Sequence, residues 1–74
     1  MTERLYEATT AYERLDGTPH VFEVFRQMIE GAAPYVIMLD GSFLATAEHG
    51  ADASEEIADT ISWYGWTSTN PIFA

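Results

Sequence analysis

Seventy-four residues, 47% of them hydrophobic and 14% aromatic, carry enough apolar material for a single compact domain over residues 1–74 and argue against a disordered chain. The absence of cysteine excludes a disulfide framework and a thiolate metal site. Twelve Asp and Glu against three Arg, for a net charge of -9, disfavour contact with nucleic acid or an anionic membrane and favour positively charged partners.

The N-terminal MTERLYE has neither the basic region nor the apolar run of a signal peptide, and no stretch is long enough to span a bilayer. The expectation is a cytoplasmic protein, and a monomer or small homo-oligomer. From Thr2 to Asp16 two periods compete. As a helix, Leu5, Ala8, Ala11, Tyr12 and Leu15 share one face, with Thr2 as N-cap and Asp16-Gly17 as the stop. As a strand, Leu5 would share a face with Glu7 and Glu13, so the helix is preferred. The Thr9-Thr10 pair and the tyrosines keep the strand open.

Thr18-Pro19 reads as a capping hydroxyl followed by a proline at the first helical position. Val21, Val24, Phe25, Met28 and Ile29 then line one side of a helix predicted over residues 19–30. Its outer face would pair Arg26 with Glu23 and Glu30, and Gly31 would cap it. In PYVIMLDGSFLATAE, two β-prone runs flank Asp40-Gly41, the dipeptide of a type I′ hairpin turn. That register sets Leu39 opposite Ser42, Met38 opposite Phe43 and Ile37 opposite Leu44. Both faces of the hairpin are apolar, with Tyr35, Ile37, Leu39 and Leu44 on one and Val36, Met38, Phe43 and Ala45 on the other. This calls for cover on both sides or for an intermolecular contact.

The stretch DASEEIADTISWYGW, Asp52 to Trp66, is a strongly amphipathic helix that begins at a capping-box-like Asp52 and Glu55 and ends at Gly65. Ala53, Ile57, Ile61 and Tyr64 gather on the side to be buried, and Asp52, Glu55, Glu56 and Asp59 nearly opposite. Trp63 falls beside Asp59. Trp66 would complete the cap, a short edge strand would run near Trp66 to Thr69, and Ile72 and Phe73 would tuck onto the core. The expected fold is therefore α+β: a small two-layer domain with an antiparallel β-hairpin, and a possible third short strand, packed against two or three helices.

An acidic stripe on a helix is ordinarily a solvated face, and Trp63 beside it ordinarily folds under neighbouring chain. Here, however, no lysine is interspersed, and Cβ atoms three and four residues apart stand about 5–6 Å from one another, of the same order as successive phosphates on a nucleic-acid strand. Asp52, Glu55, Glu56 and Asp59 thus suit partner binding as phosphate surrogates, with Trp63 as an anchor. Glu48, His49, Asp52 and His20 lack the ligand spacing of a metal site, and neither histidine has an evident triad partner. No catalytic, cofactor-binding or metal-ligating residue is assigned, and an enzyme is not expected.

In size, α+β organisation, lack of cysteine, net charge and the carboxylate row Asp52, Glu55, Glu56 and Asp59, the chain resembles the small acidic anti-defence proteins of phages and mobile elements, the anti-CRISPR and antirestriction DNA mimics. The resemblance implies an inhibitor that occupies the nucleic-acid-binding surface of a CRISPR effector or a restriction enzyme. Its partner would be a basic nucleic-acid-binding protein or complex, with no direct nucleic-acid or membrane binding. Two alternatives stay open: a non-enzymatic adaptor or antitoxin-like interaction domain using the apolar hairpin or the Trp63 to Trp66 cluster, and an acidic domain adapted to high salt.

Overall fold

In the computed structural model, which describes residues 3–68, the chain runs β1 (Glu3–Tyr12), β2 (Pro19–Gln27), β3 (Tyr35–Leu39), β4 (Ser42–Ala47), α1 (Gly50–Tyr64) and β5 (Thr67–Ser68). The strands form one antiparallel sheet in the order β4-β3-β2-β1-β5, and α1 covers one of its faces. The expected hairpin packed against two or three helices is thereby corrected to a five-stranded sheet with a single helix. The two segments read as helices, Thr2 to Asp16 and 19–30, are the first two strands.

Period 2 wins in both segments because it builds a better face than the helical stripe. In β2, Phe22 and Val24 are buried toward α1 while Val21, Glu23 and Phe25 point to the opposite side. β-Branched and aromatic residues dominate the strand, as a pleated surface prefers, and Pro19 sits at the first strand position, where no ladder donor is required. In β1 an extra residue at Tyr6 shifts the register between Leu5 and Glu7. This bulge removes the mixed face of Leu5 with Glu7 that counted against a strand.

The correction also moves individual residues. Leu15, assigned to a buried helical stripe, stands free in the β1-β2 loop, and Gly31, read as a helix cap, lies in the loop after β2. Arg26 is not neutralised by Glu23 and Glu30; it lies 5.5 Å over the ring of Tyr35, its cross-strand partner. Thr2, Ile72 and Phe73 lie outside the described residues.

The Asp40-Gly41 hairpin forms as expected. Both residues have positive φ, 52° and 82°, the geometry of a type I′ turn, and Leu39 pairs with Ser42 and Met38 with Phe43. A register shift then sets Ile37 opposite Ala45 rather than Leu44, which brings Ala45 onto the face of Ile37. α1 starts two residues before Asp52, with His49 as N-cap and no side-chain cap bond. Gly65 ends it in the left-handed region at φ 74°. The Gly65 and Trp66 amides donate to the Ser62 and Ile61 carbonyls, a Schellman closure. The expected short strand after Gly65 appears as β5, paired with Ala11 and Tyr12.

The core lies between sheet and helix. Ala53, Ile57 and Ile61, spaced by one helical turn, meet Ala11, Phe22, Val24, Tyr35, Ile37 and Ala47. Tyr64, expected with them, is exposed and stacks instead on Trp66. Because one helix supplies a third of the residues of a small core, truncating Ile57 costs about 2–5 kcal/mol. Urea unfolding of Ile57→Ala should show that loss, while Met28→Ala, at a residue 69% exposed, should stay within about 0.5 kcal/mol of the wild type.

Candidate interaction surface

The three buried positions of α1 dictate what its outer side presents. With Ala53, Ile57 and Ile61 turned inward, Asp52, Glu55, Glu56 and Asp59 are all exposed. Trp63 is 84% exposed, one turn beyond Asp59. From Asp52 to Trp63 the row spans about 16 Å along the helix axis. The structure thus brings all five predicted residues onto one outward surface, and no described residue covers Trp63; the C-terminal tail, under which it was expected to fold, lies outside the described residues beyond Ser68.

Among the described residues, no arginine forms an ion pair with a carboxylate. Arg14 donates from Nε to the Gly65 carbonyl at 2.7 Å, and Arg26 is spent on Tyr35. The helix acids therefore face solvent with no arginine paired to them among the described residues. Like charges three and four residues apart repel by a few tenths of a kcal/mol each, which a cationic partner would reverse.

The structure also assembles a cluster that sequence reasoning did not anticipate. His20 contacts the carboxylates of Asp40 through Nδ1 at 2.7 Å and of Glu13 through Nε2 at 2.8 Å. Its ring stacks on Trp66 at 3.9 Å, nearly parallel, and Trp66 in turn stacks on Tyr64 at 4.5 Å. A neutral imidazole has one N–H, so bonding to two carboxylates at once favours the imidazolium. The hydrogen bond to Asp40, then that to Glu13, raises the His20 pKa. The same contact with His20, followed by the Val21 amide bonded to Asp40, lowers the Asp40 pKa.

Both His20 nitrogens are engaged by carboxylates. What the cluster does is tie the β1-β2 loop, the start of β2, the β3-β4 turn and the chain after α1 to one side chain. Its partners lie 7, 20 and 46 residues away from His20, beyond any local spacing rule. No sequence signal marked it: the pairing of β2 with β3, which sets Phe22 opposite Leu39 and so brings His20 beside Asp40, is seen in the structure alone. His20 goes to this cluster rather than toward Glu48, His49 and Asp52, and no group of three or more potential ligands forms a metal site among the described residues.

No helix among the described residues is long and apolar enough to cross a membrane. Compared with known proteins, the chain matches no family model, no curated protein and no solved structure.

A raised pKa means that folding stabilises the charged His20. That contribution is complete below the unfolded histidine value of about 6.5 and fades as pH rises through the folded value. The depressed Asp40 contributes in the opposite sense, fully above about 3.9 and less as pH falls through its folded value. The urea midpoint should therefore decline on the alkaline side of about 6.5, and His20→Gln should flatten that limb.

Proposed function

We propose that the chain is a non-enzymatic inhibitor that engages the basic, nucleic-acid-binding surface of another protein through the outer face of α1 and excludes nucleic acid by occupancy. The observation that carries this reading is the joint exposure of Asp52, Glu55, Glu56, Asp59 and Trp63 on one helix face with no cation paired to the acids among the described residues. Lys and Arg that hold phosphates would meet carboxylates at similar spacing, and Trp63 would supply the desolvated anchor that charge alone lacks. The class of target we infer is a CRISPR effector complex or a restriction enzyme, where blocking DNA by charge mimicry disables defence.

A second reading, an adaptor-like interaction domain that binds through the apolar hairpin, is favoured by one observation: Phe43 is 65% exposed. The two readings separate on mutation. In the inhibitor reading, chain immobilised against extracts of cells carrying CRISPR and restriction systems should retain a nucleic-acid-binding protein. DNA should displace that protein, and binding should weaken on the order of tenfold or more between dilute and physiological salt. Joint charge reversal of Glu55, Glu56 and Asp59 should abolish retention, and Trp63→Ala should weaken it, with Phe43→Ala neutral. Retention that survives the charge reversal, or a retained protein that still binds DNA in the complex, counts against the proposal. Full stability of the free chain in dilute buffer would set aside the salt-adaptation alternative.

A further inference from the structure

The face of the sheet turned away from α1 is apolar across four strands. Cross-strand register places Leu5, Phe25, Val36 and Thr46 in one row and Ala8, Glu23, Met38 and Phe43 in the next, with Val21 following along β2 opposite Thr10. Leu5 is 52% and Phe43 65% exposed, and Val21 is exposed as well. No described element lies over them. Glu23 is the one charged residue in these rows. The remaining helix and loop carboxylates, among them Asp16, Asp40, Glu48 and those of α1, lie on the rim or on the opposite side.

We infer that this face is the contact between two copies of the chain, packed sheet to sheet as a symmetric β-sandwich dimer with the two helices outermost. Charge distribution selects this occupant. A basic partner would find one carboxylate to pair with here while the others lie elsewhere, and an anionic membrane repels a chain of net charge -9. A second copy needs no countercharge, since apolar rows meet apolar rows. Back-to-back packing with the sheets about 10 Å apart keeps the two sets of helix acids at the far ends of the assembly. Size agrees as well: strands about 4.8 Å apart and roughly 17–30 Å long give a face of about 450 Å² in projection. Side-chain relief raises its accessible area to about 600 Å², the per-partner share of a small specific interface.

Glu23 sets the strength of the contact. Two carboxylates enter the interface without a cation, and burying unpaired charge opposes association. The dimer is therefore a weak one that tightens as salt screens the repulsion between two acidic bodies. The inference does not rest on the acidic helix acting as an inhibitor, and its test uses different residues.

Sedimentation equilibrium of the purified chain from about 1 to about 500 µM, in dilute and in molar sodium chloride, reads the dimer directly. The mass is expected to rise from 8.3 kDa toward twice that value, at lower concentration in high salt. Glu23→Gln should tighten the dimer about tenfold and Phe43→Glu weaken it at least tenfold, with the far-UV spectrum unchanged. Leu5→Glu, at the other end of the face, serves if Phe43→Glu does not fold. A monomer throughout the range overturns the inference, as does a dimer that ignores all three substitutions or is broken instead by charge reversal on α1.

Discussion

One helix covers one face of the sheet, and the rest of the molecule follows from that constraint. Ala53, Ile57 and Ile61 lie against Phe22, Val24 and Ile37, and without this contact a twisted sheet of this size would expose both of its faces. The helix is held at its end by Gly65, whose left-handed backbone lets the chain turn back into β5 beside β1. Sealing one side fixes by exclusion what lies outside: carboxylates on the far side of α1, and on the far side of the sheet an apolar surface that no described element covers.

Electrostatics follow the same division. In many small proteins surface acids are interleaved with lysines, so that repulsion and attraction nearly cancel. Here Arg14 and Arg26 are turned to a carbonyl and a ring, and among the described residues the side chain held between carboxylates is a histidine. His20 lies at a junction of four segments, so a titratable group takes the linking place that a disulfide or a lysine pair holds in other chains of this length. The aromatic stack of Tyr64, Trp66 and His20 screens the cluster from water on one side, which strengthens its hydrogen bonds.

What could be read from the sequence depended on how far apart the deciding residues lie. Asp40-Gly41 dictates its own backbone, and Gly65 follows a helix whose apolar spacing admits no strand, so the hairpin, the helix and its carboxylate face were legible. PHVFEVFRQM was not, because Val21, Val24, Phe25 and Met28 satisfy a helical stripe while Phe22 and Val24 satisfy an alternating one. The choice is made by pairing with β1 and β3, which no local window contains. Thr18-Pro19 compounded the error, since proline opens strands as well as helices. β1 was obscured for a different reason: the bulge at Tyr6 breaks its alternation, so the sequence reads as a poor strand although the structure holds one. The position of Trp63 was legible, but its exposure depended on what else packs nearby.

The error in the first two segments bears directly on function. Had residues 19–30 formed a helix, their apolar residues would have converged on the hairpin and covered one of its faces. As strands, the same residues divide between two faces, and half of them, Val21 and Phe25 with Leu5 and Ala8 beside them, are carried away from the core. A small acidic protein then holds two surfaces of opposite character on opposite sides, joined through a core only one layer of side chains deep. Because apolar burial and carboxylate attraction respond oppositely to salt, conditions that favour one surface weaken the other. Contacts through the sheet and through the helix can thus be told apart by ionic strength before any residue is changed.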